Sequence, residues 1–267
     1  MVESGTWGGE TSCVELEGQG SIRILCDAGS GLRRFGNEIL ANAPTGKHEF
    51  HIFISHLHWD HIMGLPFFVP AYVPGNRIVI HSCHEVVEDA VRKQWGLPGF
   101  PVRFEDLGAE LEFVVHEVGN TFEVGPYTIS TIKQHHGGDS YGYRFEGFDR
   151  SVVYSTDSEH KDVVHGYPFV DFFKDADLVI FDAQYSLAET LSVKEDWGHS
   201  SNVVGVELAK RAGVKRLCLF HHEPNCDDGR LQQIVNGSIR YEEILPEGIP
   251  DHHVEILSAR DGLVLDI

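Results

Sequence analysis

The stretch Ser55-His56-Leu57-His58-Trp59-Asp60-His61 places four metal-ligand side chains, His56, His58, Asp60 and His61, within six positions. It follows directly on Phe50-His51-Ile52-Phe53-Ile54, an apolar run with strand character. At a strand end, alternation turns His56, His58 and Asp60 toward one side, and the turn into the next element brings His61 round. Imidazole nitrogen and carboxylate oxygen are zinc donors at roughly 2.0–2.2 Å. Four ligands this close in sequence would strain a single tetrahedral ion, and two ions sharing the cluster is the easier geometry. A His-rich surface loop is the alternative that the residues alone leave open. The chain has 17 histidines in 267 residues, so their placement decides the reading.

Many short strands punctuated by turns, with helices interleaved, must position that cluster. Ser12 to Leu16 and Ile22 to Cys26 read as a strand pair around Gly18 to Gly20, and Glu49 to Ile54 as the strand feeding the motif. Strands are expected at Arg77 to His81, Leu111 to His116, Tyr127 to Gln134, Gly142 to Phe145 and Ser151 to Ser155, with helical character at Glu85 to Gln94. In the last third, Asp177 to Phe181 reads as a buried strand. Asn202 to Ala212 reads as a helix capped by Ser201 and stopped by Gly213. Lys215 to Phe220, His253 to Leu257 and Gly262 to Asp266 are the closing strands. No linker or repeat divides the sequence, so a single α/β domain over residues 1–267 is expected.

Composition narrows the class. Apolar residues make up 42% and charged residues 23%, as in folded proteins. No basic segment leads into an apolar one at the start, and runs such as Leu65 to Val69 are too short to span a bilayer. A soluble, cytoplasmic protein without membrane association is the expectation. Cys13, Cys26, Cys83, Cys218 and Cys226 are odd in number and lack C-x-x-C spacing, which points to free buried thiols. Lysine and arginine total 21 against 41 acidic residues, a net charge of −20. The densest basic groups are only Arg33-Arg34 and Lys210-Arg211, which argues against a grip on long nucleic acid. A small anionic substrate remains compatible, because bound cations would dominate the local field.

With these residues in hand, the sequence resembles the metallo-β-lactamase-fold hydrolases, in particular the branch of ribonuclease Z and related phosphodiesterases. The H-x-H-x-D-H motif after a strand is the first element of the resemblance. Next, His136 precedes Gly137-Gly138-Asp139-Ser140-Tyr141-Gly142-Tyr143-Arg144, with His135 as the rival ligand. Val152-Val153-Tyr154-Ser155-Thr156-Asp157 matches the strand ending in a metal-bridging aspartate. Leu217-Cys218-Leu219-Phe220-His221-His222-Glu223-Pro224 supplies the last ligand, His221 by register, leaving His222 to face substrate. Gly198-His199-Ser200-Ser201 matches a His-Ser-Thr segment, and Phe181-Asp182-Ala183-Gln184-Tyr185 keeps an acid at Asp182. The likeness runs from Gly8 to Asp228. It departs in lacking the strand and Gly-rich turn that usually precede Gly8-Gly9-Glu10-Thr11-Ser12-Cys13. It also lacks a long inserted arm of the sort that holds tRNA, which with the charge points away from tRNA processing.

The resemblance implies a four-layer αββα sandwich, two mixed β-sheets flanked by helices. It implies two divalent ions, zinc by default, with manganese or iron able to take the same ligands. His56, His58, His136 and Asp157 would hold one ion, and Asp60, His61, Asp157 and His221 the other. Such a pair can share a hydroxide and stabilise both the attacking and leaving oxygens of a phosphodiester. Asp60 would accept a proton from the water. His199 would be the general acid, with Asp182 orienting its ring and stabilising its charged form. A small phosphodiester is the implied substrate, and relatives that dimerise make a homodimer the expected assembly. Hydrolysis of a lactone or thioester, or ribonuclease Z-like cleavage of RNA, would use the same ions. A metal-dependent sensing module is the non-enzymatic alternative.

Other features have plainer readings. Gly138-Asp139-Ser140-Tyr141-Gly142 matches a nucleophile elbow, but a strand pattern follows where a helix is required. Asp27-Ala28-Gly29-Ser30-Gly31 is a Gly-rich turn without the lysine of a phosphate loop. His51, His116, His160 and His165 read as scattered strand or surface histidines. Trp59 and Trp197 read as wall or core beside the candidate site.

Overall fold

The computed structural model describes residues 5–18, 22–43, 47–160, 166–187, 194–244, 249–250 and 252–267, which form two compact units. One unit is Glu10–Val118. Its sheet has the order β1 (Val14–Leu16), β2 (Ile22–Cys26), β3 (Glu49–Ile54), β4 (Arg77–Ser82), β5 (Glu110–Val115). β1 pairs antiparallel to β2, and β2 through β5 are parallel. Parallel strands need covered crossovers, here α1 (Gly31–Asn42), the short α2 (Trp59–Ile62) and α3 (Val87–Arg92). Phe50, Ile52 and Ile54 of β3 pack with Ile78 and Ile80 of β4 against Leu32 and Ile39 of α1 and Val87 and Val91 of α3. Burying each such side chain contributes roughly 1.5–3 kcal/mol, which fixes the register of β3 and therefore where its C-terminal end points.

The second unit comprises Met1–Gly9 and Gly119–Ile267. Its strands are β6 (Thr121–Val124), β7 (Tyr127–Gln134), β8 (Ser140–Gly147), β9 (Arg150–Ser155), β10 (Leu178–Asp182), β11 (Arg216–Phe220) and β12 (Glu255–Ser258), adjacent in that order. β6 to β9 form an antiparallel meander, and β9 to β12 are parallel. Helices α4 (Pro168–Phe172), α5 (Asn202–Ala212) and α6 (Asp228–Glu243) accompany the parallel part. Val206 and Ala209 of α5 pack on Phe181 and Leu219, and Gly205 permits this, since a Cβ there would lie 2.6 Å from the Phe181 ring. The Ser201 hydroxyl caps α5 by accepting from Val204 N–H at 3.3 Å, and Gly213 ends it at φ +73°.

The α/β class with two mixed sheets and helices is as expected. Strand limits differ from the sequence reading by a few residues. Gly262 to Asp266 is a correction: it turns and runs on irregularly instead of pairing, with Leu263 N–H on Arg260 O and Val264 82% exposed. Helices α1 and α6 and the short β6 were not anticipated. Part of the proposed Gly18 to Gly20 turn, and His165, lie outside the described residues. All five cysteines are free, and among the described residues no helix is long and apolar enough to cross a membrane.

Candidate metal centre

In the unit Glu10–Val118, the motif turn begins where β3 ends. His56 and His61 are buried, with ring centroids 4.1 Å apart, and the His56 and His58 centroids are 4.5 Å apart. Asp60 Oδ2 lies 3.3 Å from His61 Nε2. The turn is seated on the chain just after β2: Ala28 N–H donates to His61 O, and Gly64 N–H donates to Ala28 O, each at 2.8 Å. That seating needs Gly29, where a Cβ would come 2.2 Å from Asp60 O.

Asp27, read from sequence as part of a plain Gly-rich turn, organises this cluster. It is fully buried at φ +59°. Its carboxylate accepts from Ser55 N–H, Ser55 Oγ–H and His61 Nδ1–H, each at 2.7 Å. Because the Ser55 hydroxyl donates to Asp27, it accepts from His56 Nδ1–H at 3.1 Å. One carboxylate thus fixes the tautomer of both rings, leaving each Nε2 with its lone pair. This is the outer-sphere arrangement that metal-ligating histidines use. A buried aspartate after a strand with left-handed φ was the available signal, and it becomes readable only once His61 is folded onto it.

In the other unit, the residues in question also stand at C-terminal ends of strands, the usual ligand edge of an α/β sheet. His136 follows β7, Asp157 follows β9, Asp182 ends β10 and His221 follows β11. Parallel register aligns these ends, with Phe181 opposite Ser155 and Asp182 opposite Phe220. Asp157 and His221 adopt φ +49° and +57°, uncommon for residues other than glycine and typical of functional sites.

Asp157 is the hub. Its Oδ2 lies 3.6 Å from His136 Nε2 and 3.8 Å from His199 Nδ1, and its Oδ1 lies 3.5 Å from His221 Nε2. Ligand atoms of His136, Asp157 and His199 lie within 4.8 Å of one another, as do those of Asp182, His199 and His221. The partners behind the rings are again specific. His136 Nδ1–H donates to Gly198 O at 2.8 Å. His199 Nδ1–H donates to Asp182 Oδ2 at 3.0 Å, and the His221 ring stacks on that of His199 at 5.1 Å. Asp182 is fully buried and also accepts from the backbone N–H groups of Ser158, Gln184 and Ser200. The Gln184 amide meets His221 Nδ1 at 3.2 Å.

His135 is exposed while His136 sits beside Asp157. His222, expected to face substrate, is instead turned onto Ser258 Oγ and Ala259 O, at 3.0 and 3.2 Å. Burial lowers its pKa. Arg144 is held by the carbonyls of Phe172 and Lys174 and by Glu146, and Tyr141 is buried. Ser140 begins β8, is fully buried and accepts from Gln134, so it is no nucleophile elbow. Trp59 and Trp197, read as wall or core, are 72% and 58% exposed. His160 is a core residue, its ring 4.4 Å from Phe169 and 5.5 Å from Phe181, with Nδ1 2.6 Å from Tyr167 Oη. The sequence shows Gly198 only as part of the segment before His199 and gives no sign of Glu159, because one acts through its carbonyl and the other through backbone partners.

The donor set, imidazole nitrogens and carboxylate oxygens backed by fixed outer partners, fits divalent metal chemistry. The family described as Beta-lactamase superfamily domain matches residues 22–222, and the chain belongs to that superfamily. The class so defined is the metal-dependent hydrolases of the metallo-β-lactamase fold. Among individual proteins, the chain is 26% identical over 222 residues to a ribonuclease Z of Oceanobacillus iheyensis, covering 64% of this chain and 70% of that one. It is 25% identical over 210 residues to the probable metallo-hydrolase YhfI of Bacillus subtilis, covering 76% of each. The crystal structure of the metallo-β-lactamase fold protein YhfI superposes with a TM-score of 0.69 at 20% identity, over 96% of this chain and 92% of that one.

Proposed function

We propose that the protein is a dinuclear metal-dependent phosphodiesterase acting on a small anionic substrate, with residues 1–267 working as one hydrolase domain. The observation that carries this reading is the Asp157 carboxylate, which offers one oxygen to His136 and the other to His221. That is the disposition a bridging carboxylate requires. His56, His58, His136 and Asp157 would hold one ion, and Asp60, His61, Asp157 and His221 the other. When bound, two divalent ions supply neutralisation of phosphate charge and lower the pKa of a water molecule. Asp60 would be the group to accept a proton from the attacking water. His199, its Nδ1–H held by Asp182, hands a proton from Nε2 to the leaving oxygen. Zinc suits the imidazole-rich set best.

The likeness to ribonuclease Z supports phosphodiester chemistry. The net charge of −20 favours a small substrate over a long RNA. A cavity of about 660 Å³ bordered by His135, His136 and Gly198 is of small-ligand size. The family match spans residues of both units, which supports a single working domain. Metal analysis should find two ions per chain, and chelation should abolish hydrolysis of bis-p-nitrophenyl phosphate. Turnover of a lactone or thioester panel without any phosphodiester cleavage would overturn the substrate class, and a single ion per chain would overturn the dinuclear reading.

A further inference from the structure

Glu159 stands two residues beyond Asp157 and is assigned no part in the chemistry above. Its backbone N–H donates to His135 O at 2.8 Å, which ties the end of β9 to the end of β7. Its carboxylate accepts two backbone N–H groups of one turn: Asp196 N–H at 3.1 Å on Oε1 and Gly198 N–H at 3.3 Å on Oε2. The carbonyl of that same Gly198 accepts His136 Nδ1–H at 2.8 Å. The next residue in the chain is His199. Neighbouring contacts hold the far side of the turn: Ser200 Oγ–H donates to Ser158 O at 2.6 Å and accepts His160 N–H at 3.1 Å.

The turn has a narrow conformational choice. Gly198 is at φ +81°, and a Cβ there would lie 2.4 Å from His136 Nδ1. A backbone carbonyl pressed this close to a ring nitrogen controls which nitrogen carries the proton. A small displacement of the turn at Gly198 would withdraw that acceptor and free His136 to take its other tautomer. In that tautomer Nε2, which faces Asp157, would carry the hydrogen and could not ligate a cation. Two N–H groups accepted by one carboxylate resist such a displacement, since moving the turn as a whole would stretch both bonds.

We propose that Glu159 is a positioning residue for the candidate centre: it clamps the Asp196–Gly198 backbone, fixes the Gly198 carbonyl on His136 Nδ1–H, and so presents His136 Nε2 and sets the start of His199. This rests on the reading of His136 as a metal ligand. It makes the geometry of one ligand and of the proposed acid depend on a side chain that acts through the Asp196–Gly198 backbone.

The test compares Glu159→Ala, Glu159→Gln and His136→Ala in the full chain, with zinc as the probe. In Glu159→Ala, competition with a chromogenic chelator should show zinc affinity at one of two sites weakened 10–100-fold, the range for lost outer-sphere partners. The imidazole ¹⁵N spectrum of the metal-free chain should show His136 moving from the Nδ1–H form to a mixture of tautomers. With a phosphodiester substrate, kcat should fall 10–100-fold while KM changes little. Glu159→Gln, which keeps one acceptor oxygen, should lie between wild type and alanine in all three, and it carries the test alone should the alanine variant not fold. An unchanged His136 tautomer together with unchanged zinc affinity would overturn the clamp. His136→Ala separates the two readings. If it loses one ion while the Glu159 variants keep both, only the clamp fails. If it keeps both ions, His136 is not a ligand and the underlying reading fails.

Discussion

Two sets of histidines in the unit Glu10–Val118, which come within five residues of each other at His51 and His56, have opposite characters. His51, in the middle of β3, joins His81 of β4 and His116 just after β5 in a stacked row, with ring centroids 5.1 Å apart at each step. His51 Nδ1 meets His81 Nε2 at 2.8 Å, His81 Nδ1 meets His116 Nε2 at 2.9 Å, and His51 Nε2 meets Glu49 at 3.3 Å. A carboxylate only accepts, so the row has one direction: each ring carries its proton on Nε2 and accepts on Nδ1. A second proton on His51 or His81 would set donor against donor along the row, which favours the neutral form of both. Burial is the main cause that lowers the His81 pKa to about 3 and the His116 pKa to about 4, with the neighbouring rings adding to it at His81. His56, just beyond the same strand, and His61, in α2, instead spend their Nδ1–H on Ser55 and Asp27. Their Nε2 atoms carry lone pairs. The difference teaches that a histidine's role is set by the partner of its second nitrogen. Rings that bond to one another complete a closed structural row, while rings whose Nδ1–H is anchored from behind present Nε2 to bind something else.

The largest effect that would break this comparison is on turnover. His56→Ala should lower phosphodiesterase activity by about 10³-fold or more, with the melting temperature of the metal-free chain little changed. His81→Ala should do the reverse, destabilising the fold by roughly 2–4 kcal/mol while activity per folded molecule persists. If both variants lose activity alike at equal stability, the two sets are not distinct. Next in size, Asp27→Asn should weaken zinc binding about 10–100-fold, read by chelator competition, because it removes an acceptor that fixes both His56 and His61.

The pH dependence of stability sharpens the contrast. A histidine whose folded pKa lies below its unfolded value contributes fully above about pH 6.5, and that contribution is lost as pH falls toward the folded pKa. His81 alone should account for roughly 2 kcal/mol lost by pH 5, measured by denaturant titration at stepped pH. The His81→Ala variant should show a flatter acid limb, and an unaltered limb would show that the row does not govern acid stability. The smallest effect is expected at Trp59, 72% exposed beside His58. Trp59→Ala should change stability by no more than ~0.5 kcal/mol, so any larger change in KM would mark it as a substrate contact.

Local signals carried much of the fold and half of the site. The β3 run and its H-x-H-x-D-H end, the Ser201 cap and the Gly213 stop are all short-range patterns and are found where expected. Of the helices not anticipated, α1 carries its buried residues Leu32, Gly36 and Ile39 behind a Gly-rich start, a weak signature. His136, Asp157, His199 and His221 were placed by resemblance and not by spacing, since nothing local to Asp157 says that two imidazoles meet its two oxygens. In the sequence His51 and His116 read as scattered histidines and His81 only as a strand end, because 30 and 35 residues separate the three.

Side-chain chemistry and period-two alternation are encoded within a few positions, so the candidate ligands and the strand ends that present them are legible locally. Tertiary structure alone decided what stands behind each ring: the Asp27 carboxylate, the Gly198 carbonyl, the Asp182 carboxylate or another histidine. Those partners come from strand register across long crossovers and from backbone carbonyls. Register is fixed by core packing summed over many residues, and a carbonyl has no residue type to read.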